Sequence, residues 1–129
     1  MIFGIIKFGF FFEKIMNFLS RKKPESVEIL NKKGYELNQL GKHSESLECY
    51  DEVLTVEPNN LLALKNKGFA LIKLVKMEES IECYSKVLDV EPNDLVALKN
   101  KGYALKQLGK HEDALECIQR ASDLMQSKK

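Results

Sequence analysis

One pattern of letters occurs three times in this chain of 129 residues, always at the same spacing. It reads LNKKGYELNQL at 30–40, LKNKGFALIKL at 64–74 and LKNKGYALKQL at 98–108. Glycines, cysteines and prolines recur with the same 34-residue period: Gly34, Gly68 and Gly102; Cys49, Cys83 and Cys117; Pro58 and Pro92. A fixed period of this length is typical of a repeat array, in which each unit buries its apolar face against a neighbour. The chain therefore divides into unit one (27–60), unit two (61–94) and unit three (95–128), after a different segment at 1–26.

Within each unit the apolar residues have a helical period. In unit two Leu64, Gly68 and Leu71 share one side of a helix, and a second helical run follows from Ile81, without the alternation expected of a strand. Only three residues separate the two runs, which is short enough for an antiparallel helix pair. We predict an all-α fold of three helix–turn–helix hairpins.

The residues at the helix ends predict how the hairpins are closed and joined. Gly41 and Gly109 suit the left-handed conformation that follows many helices. Val75 holds this position in unit two, and because a β-branched residue is costly there, we expect a different turn. Asn60 and Asp94 are expected to cap the helix that follows each of them.

Three glycines lie in the middle of the first helices, where glycine costs roughly 1 kcal/mol relative to alanine. Such a cost needs a packing reason. We expect the side chains of Tyr50 and Tyr84, from the paired helices, to pack over Gly34 and Gly68.

The units resemble tetratricopeptide repeats, which are 34-residue helix–turn–helix units with the signature W-x2-L-G-x2-Y, A-x3-F and P. The glycine is present in all three units and the proline in two. The other positions hold Leu30, Leu64 and Leu98 (W); Lys33, Lys67 and Lys101 (L); Leu37, Leu71 and Leu105 (Y); Ser46, Ser80 and Ala114 (A); Tyr50, Tyr84 and Ile118 (F). The resemblance covers residues 27–128 and implies an α-solenoid, a right-handed superhelical stack. It is specific for fold rather than for function.

The resemblance also implies that the first helix of each unit lines a concave face. The positions facing it in unit one are Glu28, Asn31, Lys32, Tyr35, Asn38 and Gln39, and their equivalents lie 34 and 68 residues further on. A helical wheel places these residues away from the core side. We predict a peptide-binding site formed by Tyr35, Lys65, Asn66, Phe69, Lys73, Lys99, Asn100 and Tyr103. For the three aromatic residues, packing and ligand contact are equally open.

The charges are divided between the two kinds of helix although the net charge is only +1. The first helices of units two and three carry lysines and no acidic residue, whereas the second helices are acidic. A basic concave face favours an extended acidic peptide. Chaperone-binding members of the family hold a carboxylate with two lysines, two asparagines and a further basic residue. The equivalent positions hold Asn31, Tyr35, Asn66, Val96 and Asn100. Only Asn66 matches, so we expect no carboxylate clamp.

We find no pattern that indicates an enzyme, a cofactor or a metal. The three cysteines are equivalent residues of stacked helices, which lie about 8–10 Å apart, too far for a disulfide or a shared zinc site. No phosphate-binding loop and no nucleophile–base pair is present. The lysine row is thin and lacks arginine, which disfavours nucleic acid. Cysteine usage indicates a cytoplasmic protein.

The segment 1–26 carries six of the seven phenylalanines. Residues 11–21 form an amphipathic helical pattern followed by further basic residues. Three interpretations remain open: peripheral membrane contact through residues 1–23, a cap on unit one, or translation that begins at Met16. A cleaved signal peptide is disfavoured because no small-residue cleavage site is present.

These patterns predict a protein–protein interaction scaffold or adaptor whose concave face binds an extended acidic peptide. The alternative is a structural self-assembly or membrane-tethered assembly unit that uses the N-terminal segment and the repeat ends. Leu115, Ile118 and Leu124 are expected to leave apolar surface open in unit three, which would favour a homo-oligomer.

Overall fold

A computed structural model describes residues 9, 12–16 and 25–127 of the chain. Residues 12–16 are helical and exposed. The rest of the predicted amphipathic helix at 11–21, and the basic residues at 21–23, lie outside the described residues. None of the helices described has the length and hydropathy of a membrane span. Six helices follow between residues 25 and 127: α1 Val27–Gln39, α2 His43–Val56, α3 Leu61–Lys73, α4 Met77–Val90, α5 Leu95–Gln107 and α6 His111–Ser127.

The first helix of each unit begins at a side-chain cap. Ser26 Oγ accepts a hydrogen bond from the Ile29 amide at 3.2 Å. Asn60 Oδ1 accepts one from the Ala63 amide at 2.9 Å, and Asp94 Oδ1 does the same for Ala97 at 2.8 Å. The predicted caps of α3 and α5 are therefore confirmed, since each satisfies an amide that the helix itself leaves without an acceptor.

All three hairpins close with the same turn, so the expectation of a different turn in unit two is wrong. Val75 has φ of 60°, close to the 77° of Gly41 and Gly109. Its amide donates to the Ile72 carbonyl at 3.0 Å, and the Lys76 amide donates to Leu71 at 2.8 Å. The same pair of hydrogen bonds closes the other two turns. These bonds hold Val75 in a conformation that costs an L-residue about 1–2 kcal/mol.

The mid-helix glycines provide room for the paired helix, as predicted. A Cβ atom on Gly34 would lie 2.7 Å from Tyr50 Cζ, and one on Gly68 would lie 2.7 Å from Tyr84 Cζ. In unit three the neighbour of Gly102 is Ile118 Cγ1 at 3.1 Å. Gly34 and Gly68 therefore allow two helices to approach where a larger residue would collide with a tyrosine ring, whereas at Gly102 a Cβ atom would only make a tight contact.

Alanines allow the units to stack on one another. Ala63 and Ala70 on α3 are fully buried, as are their equivalents Ala97 and Ala104 on α5. Unit one has two larger residues at these positions, Ile29 and Glu36, and both are exposed. The sides of α3 and α5 that face the preceding unit are therefore narrow, whereas the equivalent side of α1 is bulky and charged.

The stack curves so that the first helices lie inside. Helix α1 contacts α3, and α3 contacts α5, in addition to the contacts that each makes within and between hairpins. Within the part of the chain that the structure describes, α2 makes no such contact with α4, nor α4 with α6. The predicted all-α solenoid of three hairpins is confirmed, and α1, α3 and α5 line what we call the inner face.

Candidate functional site

An aromatic row runs along the inner face. Tyr35, Phe69 and Tyr103 come one from each first helix, and all three are exposed. The ring of Phe69 meets the imidazole of His43 edge-on, with centroids 6.2 Å apart, and lies 5.3 Å from Lys73 Nζ. The exposed ring faces are available for apolar or cation–π contacts with a ligand.

Two lysines add positive charge at the unit-three end of the inner face. Lys99 and Lys106 are exposed and form no ion pair with any described residue. The first helices α3 and α5 carry no acidic residue. These lysines are therefore available to a ligand of opposite charge.

Other lysines of the first helices face away from the inner face, which corrects the basic surface predicted from sequence. Lys67 Nζ lies 2.7 Å from Asp51 Oδ1, on the second helix of unit one. Burial raises the pKa values of the Cys49 and Cys117 thiols, and the nearby Lys33 and Lys101 ammonium groups oppose that rise. Lys33, Lys67 and Lys101 thus lie toward the second helices, and the positive charge of the inner face is smaller than a count over α1, α3 and α5 suggests.

Lys65 on α3 bonds to Asp94, the cap of α5, where units two and three meet; we call this place the second junction. Its Nζ lies 2.9 Å from Asp94 Oδ2, and both side chains are largely buried. Burial by itself raises the pKa of Asp94, but the hydrogen bonds from the Ala97 amide and from Lys65 outweigh it and lower the pKa below its usual value. Lys65 is therefore held in a structural ion pair.

A chain of hydrogen bonds strengthens the second junction. Asn100 Nδ2 donates to Tyr84 Oη at 3.0 Å, and that hydroxyl donates to the Lys65 carbonyl at 3.1 Å. Burial raises the pKa of Tyr84 well above its usual value. Asn100 is thus used to join the units, a role that its position in the sequence does not reveal.

The first junction, between units one and two, is less completely bonded. Asn31 Nδ2 lies 3.5 Å from Asn60 Oδ1, at the limit of a hydrogen bond. Asn38 Nδ2 donates to the Asn66 carbonyl at 3.4 Å. Asn31 Oδ1 is buried and accepts no hydrogen bond from the described residues. The Tyr50 hydroxyl makes no hydrogen bond of good geometry, although Ser46 and Asn66 lie close enough to lower its pKa; burial outweighs them and raises that pKa to about 12.

A cavity of about 590 Å³ opens from the inner face at the first junction. Its lining includes two predicted site residues, Tyr35 and Asn66, other residues predicted to face the concave side, and Val27 and Glu57, which the sequence did not single out. The full lining is Val27, Glu28, Asn31, Lys32, Tyr35, Glu57, Asn60, Leu62 and Asn66. The predicted site is therefore brought onto one face, but its residues divide into exposed contacts, junction bonds and a cavity wall.

This geometry defines a helical-repeat scaffold that presents one helix of each hairpin to a ligand. A family model described as tetratricopeptide repeat matches residues 27–60 and 63–94, and a second model with that description matches 83–116. The chain belongs to the tetratricopeptide repeat family, and the resemblance inferred from its motifs is confirmed. The family consists of protein-interaction scaffolds and is generally non-enzymatic.

Solved structures share the fold. The second TPR of Spaghetti (RPAP3), bound to the HSP90 peptide SRMEEVD, is 22% identical with a TM-score of 0.74, over 78% of this chain and 93% of that chain. A point mutant of MamA is 24% identical with a TM-score of 0.73, over 79% of this chain and 74% of that chain. MamA 41-end from Desulfovibrio magneticus RS-1 is 28% identical with a TM-score of 0.74, over 77% and 56%. No curated protein matched the sequence.

Proposed function

We propose that this chain is an adaptor whose inner face binds an extended, acidic segment of a partner protein. The observation that carries the proposal is the row of exposed rings, Tyr35, Phe69 and Tyr103, beside the exposed ammonium groups of Lys99 and Lys106. Tyrosine is among the residue types that dominate binding energy at protein interfaces, and lysines without an ion pair attract an acidic partner.

The contacts divide into binding and support. Lys73, Lys99 and the aromatic row are exposed, and we assign the direct contacts to them, with Asn66 as a donor and acceptor for the backbone of the segment. Lys65 and Asn100 are bonded across the second junction, so we assign them to holding the inner face in shape.

The structure of the second TPR of Spaghetti (RPAP3) lends support, because the peptide bound there, SRMEEVD, carries acidic residues. For this chain we expect that same peptide to bind weakly, since Asn66 alone matches the carboxylate-binding pattern. Fluorescence anisotropy with labelled SRMEEVD tests this expectation. Submicromolar binding would contradict it.

The main test selects ligands without assuming a partner. A random peptide library displayed on phage is selected against the purified chain, and the enriched peptides are measured by fluorescence anisotropy. We expect enrichment in Asp and Glu, with binding that weakens as salt increases. Libraries that enrich without an excess of acidic residues would contradict the proposal.

Two matched double variants locate the binding surface. Lys99→Glu with Lys106→Glu reverses charge on the inner face, and Lys86→Glu with Lys110→Glu makes the same change in exposed residues elsewhere. We expect the inner-face variant to bind the selected peptide about tenfold more weakly and the control to bind it normally. An equal loss of peptide affinity in both double variants would show that binding depends on the net charge of the chain and not on the inner face.

A second candidate function is self-association through the end of unit three. Leu115 is 65% exposed and Ile118 is 43% exposed. The equivalents of Leu115 in the other units, Leu47 and Ile81, pack against the core of the unit that follows. Sedimentation equilibrium tests this alternative: a dimer that Leu115→Glu dissociates supports it, and a monomer at all concentrations excludes it.

A further inference from the structure

The 34-residue period allows the two junctions to be compared residue by residue. Asn31 and Asn60 at the first junction occupy the positions that Lys65 and Asp94 occupy at the second. At the second junction the lysine side chain lies between the units, with its Nζ 2.9 Å from Asp94 Oδ2. The protein itself thus shows that this place between two units accommodates an aliphatic stem that ends in a cation.

At the first junction no side chain of the described residues plays that part. Asn31 is shorter than lysine, and it lines the cavity of about 590 Å³. The residue is only 7% exposed, yet its Oδ1 has no hydrogen-bond donor. On its other side the amide makes only the 3.5 Å contact with Asn60, so it is weakly held in its present orientation. A buried acceptor without a partner favours any ligand that supplies an N–H group.

The charges in the cavity also favour a cation. Glu28 stands where unit two has Leu62. Glu57 also lines the cavity, and its Oε2 accepts a hydrogen bond from Asn60 Nδ2 at 2.8 Å. The opposing charge in the lining is Lys32. Two carboxylates and an orphaned amide oxygen against one ammonium group leave an acceptor-rich site.

The remaining walls are apolar. Val27, Leu62 and the ring of Tyr35 line the cavity beside the acidic groups. Lysine and arginine side chains combine a hydrophobic stem with a charged head, and such walls suit the stem. An aromatic ring also attracts a cation placed over its face.

From these observations we propose that the first junction is a subsite for a lysine or arginine side chain of the partner segment. The stem packs on Val27, Tyr35 and Leu62, and the charged head donates to Glu28, Glu57 and Asn31 Oδ1. This inference rests on the proposed function and deepens it. The partner segment then carries charges of both signs, with a basic residue at the first junction and acidic residues over unit three. Because the two ends of the inner face differ in this way, they fix the direction in which the segment runs.

The test uses small probes and the full chain. A ¹⁵N-labelled sample is titrated with acetyl-lysine-methylamide, acetyl-arginine-methylamide or the uncharged acetyl-norleucine-methylamide, and amide shifts are followed by NMR. We expect the two cationic probes to shift the side-chain amides of Asn31, Asn60 and Asn66 in a saturable way. The norleucine probe should bind about tenfold more weakly, the factor that one charge-assisted hydrogen bond contributes. Equal shifts with all three probes, or none, would overturn the proposal.

Two variants locate the subsite. Asn31→Lys with Asn60→Asp copies the second junction into the first, so it is expected to fold and to fill the cavity with the protein's own lysine. We expect it to abolish binding of the cationic probes. Glu28→Leu copies Leu62 and leaves the cavity open. It should weaken the binding of the cationic probes several-fold and leave the binding of the norleucine probe unchanged. Binding that persists in the first variant places the cation on the acidic second helices and overturns the subsite.

The outcome is separable from that of the proposed function. If acidic peptides bind through Lys99 and Lys106 but the cationic probes do not bind, the function stands and the subsite is wrong. If the probes bind only after Arg21, Lys22 and Lys23 are changed to alanine, the subsite belongs to this chain's own basic residues, and the assignment to a partner is overturned.

Discussion

At the second junction Lys65 bonds to Asp94, the cap of α5, and the Tyr84 hydroxyl accepts a hydrogen bond from Asn100 of unit three. At the first junction Asn31 Oδ1 is buried without a donor, and the Tyr50 hydroxyl has no hydrogen bond of good geometry. The two places have the same helices, the same caps and the same period. They differ because Asn31 and Asn60 replace a lysine and an aspartate. One junction is thus closed by an ion pair and hydrogen bonds, whereas the other keeps a cavity of about 590 Å³.

The largest effect should come from removing the caps. Asp94→Ala loses both a cap and an ion pair and should lower the free energy of unfolding by about 3 kcal/mol. Asn60→Ala loses a cap, the weak contact with Asn31 and an exposed hydrogen bond to Glu57, and should lower the free energy of unfolding by about 1 kcal/mol. Urea denaturation measures both. Asp94→Asn, which can still cap the helix, should fall between them, and equal losses for the two alanine variants would remove the distinction between the junctions.

The tyrosines provide the next test, because the hydroxyl is bonded at one junction and not at the other. Tyr84→Phe leaves Asn100 Nδ2 without its acceptor and removes the second hydrogen bond to the Lys65 carbonyl, so it should lower the free energy of unfolding by about 1–2 kcal/mol. Tyr50→Phe removes a hydroxyl that makes no hydrogen bond of good geometry, so it should change the free energy of unfolding by less, about 0.5 kcal/mol or under. Thermal and urea unfolding of the two variants measure both changes in stability. A large loss for Tyr50→Phe would mean that its hydroxyl is bonded in solution.

A change in the turn between α3 and α4 sharpens the comparison, since this turn belongs to neither junction. Val75→Gly relieves a left-handed β-branched residue and should stabilise by about 0.5–1 kcal/mol after the entropy that glycine adds to the unfolded chain. Combined with Asp94→Ala or Asn60→Ala, it should raise the free energy of unfolding of both variants by the same amount, because the effects of distant substitutions are additive. Gly109→Val is the reverse control and should destabilise by a similar amount.

The smallest effect concerns pH. Because Asp94 has a pKa below its ordinary 3.8 in the folded chain, its contribution is complete above that value and is lost as the pH falls through the lower folded value. The stability difference between the native chain and Asp94→Asn should therefore shrink in acid. Asn60 does not titrate, so Asn60→Ala should give a constant difference over the same range. Urea midpoints measured between about pH 5 and pH 2 test both statements, and an Asp94→Asn difference unchanged over that range would contradict the first.

Much of the fold could be predicted from sequence because its causes are local or periodic. The spacing of Gly34 and Gly68 predicted helix pairs in close contact, and Asn60 and Asp94 predicted helix starts. Val75 was misjudged because residue preference is a weak term. Two turn hydrogen bonds and the packing of α3 on α4 outweigh a strain of about 1–2 kcal/mol.

Less of the candidate site could be predicted, because a helical wheel gives the side on which a residue lies but not its partner. Lys65 and Lys67 are two residues apart on α3, yet one bonds forward to Asp94 and the other backward to Asp51. Both contacts depend on how the units are rotated relative to each other. That rotation arises from packing over the whole junction, and no short pattern of residues specifies it.

The small alanine side of α3 has a consequence for how this chain can change in length. Unit two presents Ala63 and Ala70 to the unit before it, as unit three presents Ala97 and Ala104, and it ends in the aspartate that Lys65 requires. Both sides of unit two therefore fit a copy of itself, whereas Ile29 and Glu36 prevent unit one from taking an internal position. An in-frame duplication of 61–94 would lengthen the inner face by one full hairpin and leave both original ends intact.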